Sequence, residues 1–456
     1  MNLASDLRTL LGDEFVAADA STRTAHSGDK WFAQHEPEVV VFAQTTDQVS
    51  RLLRYASANN VPVTARGAGF GYVGGCVPMR GGIALSLARM NRIKEINFGD
   101  AIAIVEPGVI TGELQAAVRA QKLFYPPDPA SMNDCSMGGN VATNAGGPRC
   151  LKYGVTRHYI IGLEVVLADG EVLRLGGRVH KNKTGFDLIA LFVGSEGLLG
   201  VVTEITVRLL PLPQARATLS ASFASMSEAA AAVQAIFAAG FLPSSLEIAD
   251  QFTLEAARRD QGNGVVPEGN AHLLVEVDGR AETVRTEAAA LEILLAGRKP
   301  TSLTMATTEE GSEELWALRR AFSNSLRATG LTKLNQDIVV PRSRLVELVE
   351  FAGQLQEHHG FPVATFGHAG DGNIHVNIMA ANYDDESVRA RVEKALDELF
   401  AQVLAWGGVI TGEHGIGLAK KRWWPEATSA VVRALHARLK QTLDPRDILN
   451  PGKFLD

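Results

Sequence analysis

The chain has 456 residues, more than one ordinary hydrophobic core accommodates, so we expect two or more domains. Hydrophobic residues make up 46% of the chain and charged residues 21%, a balance typical of a soluble globular protein. The net charge of -7 disfavours nucleic acid or an anionic membrane surface as the main partner.

Targeting and redox signals are weak. The stretch from Met1 to Leu11 lacks the apolar core of a secretory signal, and the apolar window Ala229 to Leu242 is too short to span a bilayer. We therefore expect a soluble, cytoplasmic protein.

The cysteines, Cys76, Cys135 and Cys150, form no CxxC pair and cannot supply four ligands to an iron–sulfur cluster. Any one-electron carrier would then belong to a partner.

The first half of the chain begins with alternating strands and helices. Val39 to Phe42 and Val61 to Ala65 read as strands, and Thr46 to Asn59 between them reads as a helix. The second strand runs into a glycine-rich loop, Arg66 to Gly75, whose backbone N–H groups can bind an anion such as a pyrophosphate. No clear helix follows this loop, which disfavours a Rossmann site for a nicotinamide cofactor.

A second glycine-rich segment lies further along. Thr111 is predicted to cap a helix ending near Lys122, and the stretch from Tyr125 to Tyr153 is predicted to be a long irregular loop. Small residues dominate this loop, so a large planar group could approach its backbone. Asn140, Thr143 and Asn144 offer polar partners for the edge of such a group.

The first half closes with a hairpin and a boundary. Ile161 to Leu167 and Glu171 to Leu175 flank Asp169-Gly170, a strong two-residue turn signal. Gly194 to Gly200 then leads into an alternating strand, Val201 to Leu210, and Pro211-Leu212-Pro213 marks a plausible domain boundary.

The second half has a different pattern. Its order of predicted elements, βαββαβ, is typical of an antiparallel sheet with helices on one side. The predicted strands and helices are 217–223, 227–239, 244–248, 272–277, 281–295 and 301–305, followed by the amphipathic helices 310–328, 343–359 and 386–406.

Two histidine-containing stretches predict a metal site. The apolar runs Phe361 to Phe366 and Ile374 to Met379 form a predicted hairpin that places His368 and His375 on either side of its turn. Asn377 shares a face of the second strand with His375. Gly412-Glu413-His414-Gly415 adds a carboxylate, and two imidazoles with one carboxylate leave a coordination position open. Isolated hydrogen-bonded histidines are the alternative interpretation.

Together these motifs resemble the FAD-dependent 2-hydroxy acid dehydrogenases of the vanillyl-alcohol-oxidase type, from about Glu36 to Asp456. That family includes D-lactate dehydrogenase, D-2-hydroxyglutarate dehydrogenase and the flavin subunit of glycolate oxidase. The resemblance implies an α+β fold, with a two-subdomain FAD-binding domain of the PCMH type and a ferredoxin-like antiparallel-sheet substrate cap. The implied segments are 1–35 (N-terminal helical segment), 36–213 (FAD-binding domain), 214–440 (substrate and metal cap) and 441–456 (return to the FAD domain).

The resemblance also implies site residues. For FAD they are Arg66, Gly67, Ala68, Gly69, Phe70, Gly71, Tyr72, Pro127, Asp128, Ser136, Met137, Gly138, Gly139, Asn140, Ala142, Thr143, Asn144, Gly146, Gly147, Tyr153, Gly154, Glu196, Gly197, Gly200, Ile205, Asn450 and Lys453. For catalysis, substrate and metal they are His414 as the base, Arg319 as the carboxylate clamp, Lys333 and Asn377 as substrate contacts, and His368, His375 and Glu413 as metal ligands.

Two positions depart from the family pattern. Members usually carry Gly-Thr-Ser where this chain has Gly69-Phe70-Gly71. Members of the hydroxyglutarate branch place a lysine shortly before an Asp-rich strand, but here Lys333 is out of register with Asp337 and Asn335 occupies the nearest position. The first loop contains no histidine, so we expect the FAD to be bound non-covalently.

The implied activity is oxidation of a D-2-hydroxy acid of the D-lactate, D-2-hydroxyglutarate or glycolate class by hydride transfer to flavin N5. A divalent metal, expected to be zinc although manganese or iron fit the same ligands, would activate the hydroxyl. The expected partners are the hydroxy acid and an electron-acceptor protein or quinone, and a homodimer is one possible assembly. The alternatives are a non-catalytic electron-relay flavoprotein subunit, a zinc hydrolase, and a sugar-lactone or aromatic-alcohol oxidase.

Overall fold

The structure is a computed structural model that describes residues 2–262 and 265–455. The chain divides into two compact units. The first unit comprises Met1–Gly146, Val155–Leu212 and Glu413–Asp456, and the second comprises Gly147–Gly154 and Pro213–Gly412. The sequence-based segments place residues 413–440 in the cap and residues 147–154 in the FAD domain. In the structure, residues 413–440 group with the first unit and residues 147–154 with the second.

The helices and strands of the first unit precede and follow those of the second along the chain. The first unit contains α1 (Leu3–Leu11), β1 (Val16–Ala17), α2 (Ala20–Ala25), β2 (Val39–Phe42), α3 (Thr46–Asn59), β3 (Val63–Arg66), β4 (Ile83–Ser86), β5 (Ile93–Asn97), β6 (Ile102–Val105), α4 (Thr111–Ala120), β7 (Leu123–Phe124) and α5 (Met137–Thr143). After α6 (Cys150–Tyr153), which belongs to the second unit, it continues with β8 (Ile160–Val166), β9 (Val172–Gly176), α7 (Leu188–Phe192), β10 (Val201–Arg208) and β11 (Leu210–Pro211).

The second unit then runs to Gly412. It contains β12 (Ala215–Phe223), α8 (Met226–Ala238), β13 (Ser245–Ala249), α9 (Gln251–Gln261), β14 (Ala271–Gly279), α10 (Ala281–Ala296), β15 (Ser302–Ala306), α11 (Glu309–Ala328), β16 (Thr332–Val339), α12 (Leu345–His359), β17 (Val363–His368), β18 (Asn373–Ala380) and α13 (Glu386–Ala405). The chain ends in the first unit with α14 (Trp424–Ala427) and α15 (Ala430–Leu443).

The first unit is built on two main sheets. One has the order β1-β2-β4-β3, with β2, β4 and β3 parallel, and the other is antiparallel with the order β5-β6-β10-β8-β9. The chain returns to the first sheet near its end, where Leu449 forms a parallel bridge to Val63 on the outer side of β3. Ile448 and Leu449 belong to the same core cluster as β2, α3 and β4. The C-terminal residues therefore complete the core of this unit.

The second unit contains one seven-stranded sheet with the order β15-β12-β14-β13-β17-β18-β16. Every neighbouring pair is antiparallel. The first four strands, taken in chain order as 1 to 4, lie in the order 4-1-3-2, which is the ferredoxin-like arrangement that the βαββαβ pattern predicts. Strands β17, β18 and β16 extend this sheet beyond β13.

One face of this sheet carries polar side chains at successive strands. The cross-strand pairs Glu247 with His368, Phe366 with His375, and His375 with Asp337 place these residues on the same side. We call this side the polar face and define it by Thr218, Ser220, His272, Glu276, Glu247, His368, His375, Asn377, Asn335, Asp337 and Lys333. Because side chains alternate along a strand, the opposite face carries mainly aliphatic residues such as Ile248 and Val376.

Helices α9 and α11 pack on the polar face. Leu254 of α9 and Phe322 of α11 share a cluster of buried residues with Ala364, Phe366 and Met379. The βαββαβ pattern gave no helix at α9, although Asp250 caps it by accepting a hydrogen bond from Thr253 N at 2.9 Å. Helix α9 is therefore an addition to the predicted βαββαβ order.

Two local predictions in the first unit also need correction. The stretch from Tyr125 to Tyr153 is not irregular throughout, since it contains α5 and α6. Thr111 is the first residue of α4 and not its cap: its hydroxyl donates to Cys135 O at 3.3 Å and accepts from Asn140 Nδ2 at 2.7 Å. These bonds tie the start of α4 to the glycine-rich segment.

Candidate functional site

The predicted hairpin supplies two neighbouring strands of the polar face, β17 and β18. Strand β17 ends at His368, two residues after the predicted apolar run, and β18 begins at Asn373, one residue before the second run. Gly372 lies in the turn between them with φ of +82°. A Cβ on Gly372 would lie 2.1 Å from Val340 O, so the turn packs directly against the end of β16. The imidazole rings of His368 and His375 lie 5.5 Å apart between centroids, at 79° to each other. Both are buried.

Glu413 directly follows Thr411 and Gly412, which are hydrogen-bonded to Asp337 in the strand beside His375. Asp337 Oδ2 accepts hydrogen bonds from Gly412 N at 3.0 Å and from Thr411 Oγ1 at 3.2 Å, and Asp337 pairs with His375 in the sheet. Glu413 is the next residue along the chain. One ligand atom from each of His368, His375 and Glu413 lies within 4.8 Å of the other two. Asp337, a carboxylate that the motif did not include, thus holds the residue before Glu413 beside the strand that carries His375.

The donor set fits a divalent metal. Two imidazole nitrogens and one carboxylate oxygen are the ligands of catalytic zinc sites, and the same set suits iron or manganese. His368 Nδ1 lies 2.6 Å from Glu247 Oε1, so Nε2 is the nitrogen with which His368 would bind a metal. A second carboxylate that holds a ligating histidine in this way is usual around protein-bound metals.

Glu247 is a site residue that the motifs do not reveal. It lies in the middle of β13, is 1% exposed, and also accepts a hydrogen bond from Arg319 Nε at 2.6 Å. Burial alone would raise the pKa of Glu247, but the charges of His368 and Arg319 and their hydrogen bonds lower that pKa to about 2. The only signal in the sequence is one acidic residue within the otherwise apolar strand Leu246-Glu247-Ile248-Ala249.

Arg319 lies on α11 above the same face. Its side chain is buried, and its guanidinium stacks on Phe366 with 5.0 Å between Cζ and the ring centroid. The bond from Nε to Glu247 and this stacking fix the plane of the guanidinium, and neither uses the two terminal nitrogens. Arg319 is therefore pre-organised to bind a carboxylate.

Two further predicted substrate residues lie on the polar face. Lys333 Nζ donates to Ser323 Oγ at 2.6 Å and lies 5.6 Å from the Phe366 ring, and burial lowers the pKa of Lys333 to about 7. The Asn377 side chain is fully buried, and its Nδ2 donates to Ala364 O at 3.0 Å. Among the described residues no group donates to Asn377 Oδ1, which leaves a buried acceptor suited to a polar ligand.

The two glycine-rich segments of the first unit lie against each other. A Cβ on Gly67 would lie 2.2 Å from Ser136 Oγ, so the loop after β3 packs closely onto the residue that caps α5. Ser136 caps α5 by accepting from Gly139 N at 3.4 Å. Closely packed glycine backbones leave N–H groups accessible to a phosphate or a flat ring, so this cradle fits FAD.

The polar side chains expected to face a planar cofactor are held by protein groups. Asn140 Nδ2 donates to Thr111, Thr143 Oγ1 donates to Gly139 O at 3.2 Å, and Asn144 Oδ1 accepts from Arg157 N at 2.8 Å. Asn144 also ends α5 in the left-handed conformation. Through these hydrogen bonds the three side chains stabilise the backbone of the second glycine-rich segment.

Glu196, a predicted cofactor residue, holds the loop that contains the predicted base His414. Its carboxylate accepts hydrogen bonds from Ile416 N and Gly417 N, each at 2.8 Å, and burial raises its pKa. A Cβ on Gly415 would lie 2.6 Å from Glu196 Oε1, so only glycine fits there. This clamp fixes the loop that carries His414, whose ring stacks on Tyr72 with 5.3 Å between centroids.

The C-terminal segment is held by Asn450 and Lys453. Asn450 Nδ2 donates to Gly75 O at 2.9 Å and Glu196 O at 2.8 Å, and buried Lys453 Nζ donates to Val77 O at 2.6 Å. Asn450 Oδ1 is buried and accepts no hydrogen bond from the described residues. An acceptor of this kind beside the first glycine-rich loop fits a cofactor with N–H or O–H groups.

The other predicted cofactor residues divide between the units. Gly147, Tyr153 and Gly154 belong to the second unit, where Tyr153 OH donates to Asp278 Oδ2 at 2.8 Å. In the first unit, Ile205 is buried in β10 and Gly200 packs on Val165. The remaining predicted residues also lie in the first unit: Arg66, Ala68, Gly69, Phe70, Gly71, Pro127, Asp128, Met137, Gly138, Ala142, Gly146 and Gly197.

Two family models match the chain. The FAD binding domain matches residues 37–176, and the C-terminal domain of the FAD linked oxidases matches residues 212–454. The chain belongs to the FAD-linked oxidases. It is therefore a flavoprotein oxidoreductase, and the predicted cofactor FAD is confirmed.

The curated relatives of this FAD-linked oxidase agree with that assignment. Glycolate oxidase subunit GlcD of Bacillus subtilis (strain 168) is 41% identical over 422 residues, covering 92% of this chain and 89% of the relative. D-lactate dehydrogenase of Anaerostipes hadrus is 33% identical over 456 residues, covering 98% and 94%. The resemblance found in the sequence is thus confirmed.

Solved structures confirm the fold. p-Cresol methylhydroxylase with substrate bound matches with a TM-score of 0.83 and 18% identity, covering 99% of this chain and 96% of that one. 4-Ethylphenol oxidase from Gulosibacter chungangensis matches with a TM-score of 0.81 and 22% identity. In the described residues, no helix combines the length and the apolar character needed to cross a membrane.

Proposed function

We propose that this FAD-linked oxidase converts a D-2-hydroxy acid of the D-lactate, D-2-hydroxyglutarate or glycolate class into the 2-oxo acid. The proposal depends on two features around His368. It is one of three candidate metal ligands, with His375 and Glu413. Glu247 also bonds both to His368 and to the buried Arg319, the candidate carboxylate-binding residue. The relatives named as glycolate oxidase subunit and D-lactate dehydrogenase support this substrate class.

The oxidation removes one hydrogen from C2, the carbon that bears the hydroxyl, and one from the hydroxyl oxygen. The C2–H bond breaks as hydride, the O–H proton leaves, and the C–O bond becomes a carbonyl. FAD, when bound, supplies the acceptor for the hydride, and a divalent cation held by His368, His375 and Glu413 would lower the pKa of the hydroxyl.

The side chains of the protein perform the remaining tasks. His414 accepts the hydroxyl proton, because its ring carries a basic nitrogen and the Glu196 clamp and Tyr72 fix its position. Arg319 binds the substrate carboxylate through its terminal nitrogens. Asn377 and Lys333 contact other polar groups of the substrate. Reoxidation of the flavin then requires an electron-acceptor protein or a quinone.

Anaerobic reduction of the flavin tests the proposal. The purified FAD-loaded protein is mixed with a panel of D- and L-2-hydroxy acids, and the loss of flavin absorbance is followed before and after chelation of divalent metals. We expect rapid bleaching by at least one D-2-hydroxy acid or by glycolate, and loss of that bleaching after chelation. A flavin that no hydroxy acid bleaches would favour a non-catalytic electron-relay subunit.

The same assay tests the role of His414. We expect His414→Ala to slow flavin reduction by roughly two to four orders of magnitude, the usual contribution of a general base, while FAD stays bound. His436→Ala provides the control, since His436 also contacts an aromatic ring, that of Trp424, edge to face, but lies outside the predicted site. Equal reduction rates in the two variants would exclude His414 as the base.

A further inference from the structure

Glu247 contacts two predicted site residues that come from different elements. Its Oε1 accepts from His368 Nδ1 on β17, and its Oε2 accepts from Arg319 Nε on α11, both at 2.6 Å. The carboxylate is 1% exposed, so the charge of Arg319 and the two hydrogen bonds compensate its charge in place of water. Each oxygen serves one partner, and neither partner can move without breaking a short, charge-assisted hydrogen bond.

The contact with His368 sets the chemistry of its ring. A carboxylate accepts hydrogen bonds but does not donate them, so it selects the form of His368 that carries a proton on Nδ1. The lone pair of the neutral ring then lies on Nε2, which is the nitrogen that a metal would bind. The ring orientation is fixed as well, because Glu247 and His368 are cross-strand neighbours in the sheet.

The contact with Arg319 sets which edge of the guanidinium is presented. With Nε bonded to Glu247, the edge formed by Nε and one terminal nitrogen is occupied. A substrate carboxylate must then bind end-on, to the two terminal nitrogens. The Phe366 ring, 5.0 Å from Cζ, holds the plane in which these nitrogens lie.

We propose that Glu247 is a positioning residue that sets both the metal-binding nitrogen of His368 and the carboxylate-binding edge of Arg319. Affinity for the metal and affinity for the hydroxy acid then depend on a single side chain that binds neither of them. This inference rests on the proposed function, because it takes His368 as a metal ligand and Arg319 as the substrate clamp.

Glu247→Gln is the informative substitution, because glutamine has the same size but only one acceptor oxygen. If its amide NH2 faces His368, the histidine must keep its proton on Nε2 and loses that nitrogen as a ligand. If the NH2 faces Arg319, two donors meet and the guanidinium turns away. Either arrangement impairs one of the two functions, and exchange between the arrangements impairs both.

Glu276→Gln is the matched control. Glu276 is also 1% exposed, lies on the polar face in the neighbouring strand β14, and accepts hydrogen bonds from Trp316 Nε1 at 2.7 Å and Thr218 Oγ1 at 3.1 Å. None of the hydrogen bonds of Glu276 in the described residues involves His368 or Arg319. Removing its charge therefore reproduces the general cost of altering a buried carboxylate in this sheet.

The experiment measures two constants on FAD-loaded protein. Equilibrium dialysis against Zn²⁺ gives a dissociation constant, and steady-state oxidation of the hydroxy acid that bleaches the wild-type flavin gives KM. For Glu247→Gln we expect the Zn²⁺ dissociation constant to rise about 10- to 100-fold, the usual effect of losing a carboxylate behind a ligating histidine. We expect KM to rise about tenfold, as for a weakened charge-assisted contact, with both constants near wild type in Glu276→Gln.

The outcomes separate this inference from the function on which it rests. Wild-type protein that binds no Zn²⁺ and is bleached by no hydroxy acid overturns the proposed function and the inference with it. Wild-type protein that does both, beside a Glu247→Gln variant with both constants unchanged, overturns the inference alone. So does an equal rise of both constants in Glu276→Gln, which would show a general effect of the sheet.

A second variant covers the case in which Glu247→Gln does not accumulate as folded, yellow protein. Glu247→Asp keeps the charge but is one methylene shorter, so it cannot reach His368 Nδ1 and Arg319 Nε together. At least one of the two constants is then expected to rise about tenfold for the lost charge-assisted bond. Wild-type values for both constants in Glu247→Asp overturn the proposal.

Discussion

Lys333 carries a charge that is costly to the fold of the second unit. It is only partly exposed and lies among Phe366, Ser323 and the positive charges of Arg319 and Arg327. Burial, with a smaller contribution from the two arginines, lowers its pKa from the ordinary lysine value of 10.5 to about 7. A cation kept in such a place at the expense of stability is typical of a binding site.

The pH dependence of stability follows from this shift. Between pH 7 and 10.5 the unfolded chain binds a proton at Lys333 that the folded protein does not bind, so the free energy of unfolding rises with pH across that window. Below pH 7 both states are charged, and the folded protein carries the full cost of burying the ammonium group.

Lys333→Met should therefore stabilise the protein most at low pH. We expect a gain on the order of 1–3 kcal/mol in the free energy of unfolding at pH 6, shrinking as the pH rises towards 10. Urea unfolding of FAD-loaded protein at pH 6 and pH 9.5 measures it. Lys394→Met, at an exposed position of α13, is the control and should change stability by less than about 0.5 kcal/mol at either pH. A pH-independent gain for Lys333→Met would contradict this account.

At the scale of elements, the turn between β17 and β18 decides where two predicted metal ligands lie. Gly372 combines a φ of +82° with a backbone contact, since its Cβ would lie 2.1 Å from Val340 O. An alanine there must move the hairpin away from β16, and His368 and His375 move with it.

Gly372→Ala is expected to lower the free energy of unfolding by about 3 kcal/mol or more, because a backbone overlap adds to the cost of a positive φ. Gly360→Ala is the matched control: Gly360 ends α12 with a φ of +70° and has no atom within 4 Å of its would-be Cβ. Its loss should be about 1 kcal/mol, the conformational cost alone. Urea unfolding measures both, and equal losses would show that the contact with Val340 is unimportant.

What the sequence predicts well at this scale is local. The ends of the hairpin follow from glycine, Asp and Asn between two apolar runs, and the ferredoxin-like order follows from the succession of strands and helices. Helix α5 was not predicted because Gly138 and Gly139 have poor helix propensity; the cap at Ser136 and the left-handed Asn144 compensate for it.

What the sequence cannot predict depends on distant partners. Glu247 lies 72 positions from Arg319 and 121 positions from His368, and nothing in its own strand announces either contact. The role of Asp337 in holding Gly412 likewise joins residues 75 positions apart. The candidate ligands could be proposed from their motifs, whereas the carboxylates that position them became visible only in the structure.

At the scale of the whole molecule, the C-terminal residues close the core of the first unit. Ile448 and Leu449 are buried in it, Val63 N donates to Ile448 O at 2.7 Å, and Asn450 and Lys453 bond to the first glycine-rich loop and the segment after it. Burying two aliphatic side chains contributes about 3–6 kcal/mol, comparable to the net stability of many domains.

A chain ending at Asp447 should therefore lose its FAD and unfold at markedly lower urea concentration than the full chain. A chain ending at Phe454 keeps Ile448, Leu449, Asn450 and Lys453 and should retain both the yellow colour and the unfolding midpoint. Flavin absorbance after gel filtration and urea unfolding measure the two properties. Retention of FAD by the shorter chain would show that the C-terminal segment is dispensable for the core.

This late closure constrains how the protein matures on the ribosome. Asn450 is synthesised 375 positions after Gly75, the residue whose carbonyl it bonds, which at about 5–20 residues per second is a delay of roughly 20–75 s. During that interval the whole second unit emerges and can fold, while the N-terminal sheet still exposes the outer edge of β3. Until then the edge of β3 is open to pairing with another chain, and the bonds of Asn450 and Lys453 to the first glycine-rich loop and the segment after it form only once these two residues have been synthesised.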